Sequence, residues 1–189
     1  MYSASDLKKG LKIEIDGQPW VITEFDFCKP GKGTALYRCR LKNLMTGAGM
    51  DRTFRPVDKV DEPNLEEREM HYIYNEGDEY VFSDSETYDE IRITAEQLGK
   101  KIWFLEPDAL CTALFFNGTP IDITLPTWLI RKVTETEPGA RGDTASSNVM
   151  KPAKVDNGYE LMVPLFINVG DTIKIDTRTG DYAERVSKG

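Results

Sequence analysis

Two dipeptides about a hundred residues apart, Asp16-Gly17 and Asn117-Gly118, limit what this chain can become more than any other feature. Each stands between runs of alternating apolar residues: Ile15-Asp16-Gly17-Gln18-Pro19-Trp20-Val21-Ile22-Thr23 and Phe116-Asn117-Gly118-Thr119-Pro120-Ile121-Asp122-Ile123-Thr124. A two-residue reversal of an antiparallel pair needs positive φ at both positions, which Asp, Asn and Gly tolerate and most residues resist. Each dipeptide therefore predicts a β-hairpin. A second echo joins Gly77-Asp78-Glu79-Tyr80-Val81-Phe82 to Gly170-Asp171-Thr172-Ile173-Lys174-Ile175, both a turn followed by a strand with one apolar face. Further short runs at Lys12–Ile15, Ile121–Leu125 and Tyr159–Pro164 are spaced by Gly, Pro, Asn and Asp. Helix signals are scarce. Thr94-Ala95-Glu96-Gln97 forms a capping-box pattern, and Gly99 stops it after one or two turns. The expectation is an all-β protein of three small barrels in series, each of about 60 residues. Linkers near Pro63 and Thr127 place them at 1–63, 64–127 and 128–189, packed end to end into an elongated molecule.

Composition excludes several classes. Apolar residues make up 40% and charged residues 30% of the 189, the balance of a soluble globular protein. No apolar run approaches bilayer length, and the N-terminal residues lack a basic-then-apolar signal layout, so the expectation is a cytoplasmic protein with no membrane contact. Cys28, Cys39 and Cys111 contain no C-x-x-C pair, which argues against a zinc site or a disulfide framework. Cys28 and Cys39 are expected to face each other across a hairpin, as reduced apolar residues or, as the second reading, as a disulfide. His71 is the single histidine, at the expected start of a strand, and reads as structural rather than as a catalytic base. P-loop, G-x-G-x-x-G and H-E-x-x-H motifs are all missing. The chain is expected to be no enzyme and to need no cofactor and no metal.

The formal charge of −8 is unevenly spread. Residues 1–63 carry a net +2, residues 64–127 a net −10 and residues 128–189 none. A nucleic-acid contact would have to come from the first third or from local loops, with the acidic middle facing solvent or repelling RNA.

Within the first third, two strand-like runs flank Pro30-Gly31-Lys32-Gly33. Proline fixes φ and glycine accepts positive φ, so a tight turn is expected, with Lys32 at its apex between two small neighbours. In the returning strand Tyr37, Cys39 and Leu41 alternate with Arg38, Arg40 and Lys42. No Asp or Glu occurs between Phe27 and Met50, so Lys29, Lys32, Arg38, Arg40 and Lys42 read as an uncompensated cationic ridge suited to a phosphate backbone. The same pattern also describes an ordinary solvated hairpin, and that reading stands beside the first.

Lys29-Pro30-Gly31-Lys32-Gly33-Thr34-Ala35, followed by Leu41-Lys42-Asn43-Leu44 and Thr46-Gly47, resembles the bacterial elongation factor P family. The resemblance runs on through Thr53-Phe54-Arg55, Tyr72-Ile73-Tyr74, Glu86-Thr87-Tyr88, Glu135-Thr136-Glu137-Pro138 and Gly142-Asp143-Thr144. It ends with Lys151-Pro152-Ala153, Val163-Pro164-Leu165-Phe166-Ile167 and Asp176-Thr177-Arg178-Thr179-Gly180-Asp181-Tyr182. The hypusine-bearing archaeal and eukaryotic factor is a shorter relative. The chain departs from the family at Val155-Asp156-Asn157-Gly158, where Leu-Glu-Thr-Gly is more usual.

That resemblance implies an N-terminal SH3-like (KOW) barrel and two OB-fold barrels. It implies a monomeric translation factor that binds the ribosome beside peptidyl-tRNA and relieves stalling at consecutive prolines. Lys32 would reach toward the tRNA CCA end and be the candidate for extension by a lysine-modifying enzyme. Lys29, Pro30, Gly31, Gly33, Arg38, Arg40 and Lys42 would contact tRNA or rRNA. Gly142, Asp143 and Thr144 would form a loop near the codon and small subunit. Tyr182 and Arg185 either touch RNA or close the last barrel, closure being favoured, and Trp20, Trp103 and Trp128 are expected in the core or between domains. Three other readings compete: a general single-strand binder, an enzyme built around His71 and scattered carboxylates, and a structural interaction module.

Overall fold

The computed structural model describes residues 1–138 and 149–189. Antiparallel strands dominate it, and the two dipeptide turns have the backbone their composition demands. Asp16 and Gly17 lie at φ 52° and 75°, Asn117 and Gly118 at 50° and 82°.

Two compact units can be described, Met1–Arg68 with Ala113–Ile123 and Glu69–Thr112 with Thr124–Gly189. In the first, β1 (Tyr2–Ser3) is followed by β2 (Lys12–Ile15), β3 (Gln18–Cys28), β4 (Leu36–Asn43), β5 (Gly49–Phe54) and β6 (Lys59–Val60). Strands β2 to β5 form a four-stranded meander, and β1 pairs with β6. Ile13, Ile22, Leu41, Phe54 and Val60 bury its core, with Trp20, Phe25 and Tyr37 packed at the margin.

The middle of the chain supplies β7 (Leu65–Glu76), β8 (Glu79–Asp84), β9 (Glu90–Thr94), β10 (Leu110–Phe116) and β11 (Thr119–Thr124), in the sheet order β11-β10-β7-β8-β9. The capping box is formed: Thr94 Oγ1 accepts from Gln97 N at 3.2 Å, and Gln97 Oε1 accepts from Thr94 N at 3.1 Å. The helix α1 (Ala95–Leu98) stops before Gly99 at φ 54°, but a 3-10 stretch over Gly99–Phe104 follows directly, which turn chemistry alone did not foretell.

The last third comprises β12 (Trp128–Thr136), β13 (Met150–Val155), β14 (Glu160–Pro164), β15 (Thr172–Asp176) and β16 (Asp181–Ser187), in the order β14-β13-β12-β15-β16. Leu129, Val133, Val155, Val163, Ile167, Ile173 and Ile175 are buried in it. Tyr159 donates its hydroxyl to the Gly180 carbonyl at 2.7 Å and sets its ring 5.0 Å from Phe104 and 6.1 Å from Trp103. The architecture is thus all-β, in small curled antiparallel sheets.

Three expectations need correction. Cys28 and Cys39 do not face each other: Cys28 pairs with Leu36 and Cys39 with Phe25, so the two lie on opposite faces of the hairpin, and both thiols are free. Burial pushes the Cys39 thiol up, and Cys111, also buried, to about 11, so neither is poised as a nucleophile. His71 lies midway along β7 rather than at its start, with Nδ1 3.3 Å from the Asp108 carbonyl oxygen. Trp20 packs at the core margin and Trp103 against Tyr159 of the last third, as expected, whereas Trp128 is 47% exposed, under the Lys174 ammonium at 5.3 Å.

The longest strands, β3 with 11 residues and β7 with 12, each contain a register shift, between Ile22 and Glu24 and between Tyr72 and Tyr74. An extra residue in one strand flips the side-chain alternation, so one bulged strand reads in sequence as two short ones.

Candidate nucleic-acid interface

Strands β3 and β4 pair from Trp20↔Asn43 to Cys28↔Leu36 and carry the turn at their far end. Gly33 N donates to the Pro30 carbonyl at 3.2 Å, which makes Gly31 and Lys32 the two central residues of the reversal. Lys29, Pro30, Gly31, Lys32 and Gly33 are all exposed.

The glycines work differently from the expectation. Neither Gly31 nor Gly33 lies at positive φ. A Cβ on Gly31 would meet nothing within 4 Å, while one on Gly33 would come 3.0 Å from Pro30 Cγ. Gly33 is held small by the proline it closes against. Gly31 has open space where a side chain would stand.

Alternation on β4 is as expected: Cys39 and Leu41 are buried, and Arg38, Arg40 and Lys42 are exposed on the opposite face. The ridge is not uncompensated, however. Asp26 stands opposite Arg38, Glu24 opposite Arg40, and Asp51 of β5 opposite Arg40 on the other side. Arg40 Nε lies 3.9 Å from Asp51 Oδ1, with both side chains exposed. The acid-free stretch is real along the chain, but antiparallel neighbours bring in carboxylates from either side of it. Glu24, Asp26, Arg38, Arg40 and Asp51 thus line one mixed-charge surface depression.

Lys42 has no carboxylate directly opposite; its partners are Val21 and Gly49. It stands at the other end of β4, six residues and so roughly 20 Å from Leu36, with the tip farther still. The cations beyond the last carboxylate pair are Lys29 and Lys32, and among the described residues neither has an ion-pair partner. The structure therefore contracts the site from a ridge to a tip.

One feature of this hairpin was missed in the sequence. Phe27 faces the same side as Phe25, Tyr37 and Cys39, is 50% exposed, and sets its ring 5.1 Å from that of Tyr37. The signal was present: apolar residues occupy even positions at Trp20 and Ile22 and odd ones at Phe25 and Phe27.

Elsewhere, Gly142, Asp143 and Thr144 lie outside the described residues. Lys151, near that segment, is buried and donates through Nζ to the Glu137 carbonyl; burial holds its ammonium below the usual lysine value. Arg185 is placed for closure: its guanidinium lies 3.7 Å from Asp171 and 5.0 Å over the Phe166 ring, and burial raises the Tyr182 phenol.

Three family models match the chain in succession: the elongation factor P KOW-like domain over residues 3–60, the elongation factor P OB domain over 65–123, and the elongation factor P C-terminal region over 130–185. The chain is 49% identical over 188 residues to elongation factor P of Desulfotalea psychrophila and 50% identical over 188 residues to that of Desulfosudis oleivorans, with both chains covered in full. The chain belongs to the elongation factor P family.

Membership makes it a translation elongation factor and gives the curled sheets their names, a KOW-like barrel and OB barrels. Among solved structures, this elongation factor P chain resembles eukaryotic translation initiation factor 5A from Methanococcus jannaschii, with a TM-score of 0.56, 25% identity, and 66% and 91% of the two chains covered. The corresponding family protein from Naegleria fowleri shares the fold, with a TM-score of 0.52. No helix among the described residues is long and apolar enough to cross a membrane.

Proposed function

We propose that this elongation factor docks on the ribosome beside peptidyl-tRNA and promotes peptide bond formation at consecutive prolines, with Lys32 directed at the CCA end. The reading rests on one observation: Lys32 is central in an exposed turn, beyond the last cross-strand carboxylate, with open space at Gly31. A proline ring restricts backbone geometry, so a run of prolines holds the peptidyl ester away from productive attack. A factor that fixes the tRNA end lowers the barrier by positioning, without acid–base chemistry of its own. A cationic side chain bonds phosphates and riboses most strongly where bulk water is excluded. A lysine-modifying enzyme would lengthen that reach.

The functional division is 1–63, 64–127 and 128–189. The first segment carries the tRNA and rRNA contacts of Lys29 to Gly33, with Arg38, Arg40 and Lys42 steering more weakly because carboxylates flank the arginines. The last segment uses Gly142, Asp143 and Thr144 at the small subunit. The protein works as a cytoplasmic monomer.

The test is translation of a proline-run reporter in an extract depleted of this factor, with protein purified from its native host added back. Wild type is expected to restore full-length product and Lys32→Ala to fail, with identical circular dichroism. Restoration by a folded Lys32→Ala would remove the role of Lys32. Failure of wild type despite ribosome binding would remove the proline-specific activity.

A further inference from the structure

Phe25, Phe27 and Tyr37 make an aromatic ladder along one side of the tip hairpin, with centroids 6.2 Å apart for Phe25–Tyr37 and 5.1 Å for Phe27–Tyr37. Phe25 and Tyr37 pack against the barrel core, but Phe27 is not part of that cluster. It stands beyond the core, supported by the Tyr37 ring, and leaves half its surface to water. Trp128 and Phe166 are about as exposed, but each is covered by a cation of its own sheet, Lys174 and Arg185, whereas the Phe27 ring is backed by Tyr37. This one lies between the core and Lys29 and Lys32, on the opposite face from Arg38 and Arg40. Rigid aromatic rings beside cations without carboxylate partners are what recognition of unpaired nucleotides requires: the ring takes the π-face of a base, and the ammonium takes the phosphate.

We propose that Phe27, backed by Tyr37, is a stacking surface for one unpaired nucleobase at the 3′ end of the tRNA that Lys32 approaches. The proposal rests on the reading of Lys32 given above and adds a second contact of different chemistry. Lysine supplies charge without fixing a base plane; a ring at the base of the turn supplies the plane. Stacking uses only the π-face of the base and leaves its hydrogen-bonding edges free.

The experiment uses ribosomes stalled at a proline run, with the peptidyl-tRNA labelled in turn at each CCA position by 2-aminopurine or pyrrolo-cytosine. Binding of the intact protein is followed separately by co-sedimentation. Wild-type protein is expected to quench the label at one position, and Phe27→Trp to retain the quench. Phe27→Leu, which keeps an apolar side chain but no π-face, should lose the quench and bind about tenfold more weakly. Lys32→Ala should weaken binding and flatten its salt dependence, yet still quench at saturation. Ribosome binding by wild type with no quench at any position overturns the stacking proposal and leaves the functional reading intact. So does a folded Phe27→Leu that quenches like wild type. Absence of wild-type binding to the ribosome overturns both.

Discussion

In the C-terminal sheet, Lys174 lies 2.7 Å from Glu184, Arg178 2.8 Å from Asp176 and Arg185 3.7 Å from the buried Asp171. At the tip of the β3–β4 hairpin, Lys29 and Lys32 have no such partner among the described residues. Side chains of one charge type thus serve two ends. In the sheet they are engaged within the protein, stacking on Trp128 and Phe166 as well as pairing with acids. At the tip they keep their electrostatic reach for another molecule. Counting cations does not distinguish the two regions, since the last third has as many basic as acidic residues and the first third is only slightly positive. Partnership across strands does.

The contrast breaks most decisively at Lys32. Lys32→Ala should reduce rescue of a proline-run reporter more than tenfold while the melting temperature stays within about 2 °C of wild type, since exposed substitutions without a structural partner rarely exceed ~0.5 kcal/mol. In the C-terminal sheet the balance reverses: Ile173→Ala, at a fully buried position, should cost about 2–5 kcal/mol in urea unfolding.

Asp171→Asn comes next, at about 1–3 kcal/mol, because a buried carboxylate with fixed donors is being replaced. Burial pushes the Asp171 carboxyl up, but the backbone N–H groups of Asn168 and Gly189 and the Arg185 guanidinium outweigh it and hold it below the ordinary 3.8. A lowered folded pKa means that the unfolded chain binds the proton first on acidification. The stabilisation is therefore present above pH 3.8 and is lost as pH falls through the lowered value. Wild type should lose stability there, and Asp171→Asn should show a shallower acid limb.

Smaller still, Gly17→Ala should cost about 1 kcal/mol, because Gly17 sits at φ 75°, whereas Gly31→Ala should be near neutral in stability. Arg40→Ala should fall within ~0.5 kcal/mol, since its pair with Asp51 is exposed at 3.9 Å. A cost of several kcal/mol at Arg40 would show that the outer face of the hairpin is structural, as in the C-terminal sheet.

Local turn chemistry was legible because it depends on a few consecutive residues. Asp16-Gly17, Asn117-Gly118 and the Thr94–Gln97 cap all adopt the backbone their composition requires. The position of Lys32 in its turn was legible for the same reason. What failed was whatever depends on strands meeting. The cationic ridge was read along β4, while Asp26, Glu24 and Asp51 reach it from β3 and β5. Cys28 and Cys39 were expected to be neighbours, but the strand register pairs them with Leu36 and Phe25 instead. The side on which Phe27 stands depends on the register shift between Ile22 and Glu24, which only the pairing with β4 defines.

That change of parity reaches beyond packing. The bulge at Thr23, between Ile22↔Leu41 and Glu24↔Arg40, works as a one-residue phase shifter for everything distal to it. Substitution at the tip alters one contact at a time. Loss of a single codon near Thr23 would exchange the two sides of the hairpin's outgoing strand, turning Phe25 and Phe27 outward and Glu24 and Asp26 toward the core, with every side chain but one still present. Length, more than identity, is what descendants of this gene have least freedom to change between the barrel and the lysine it holds out.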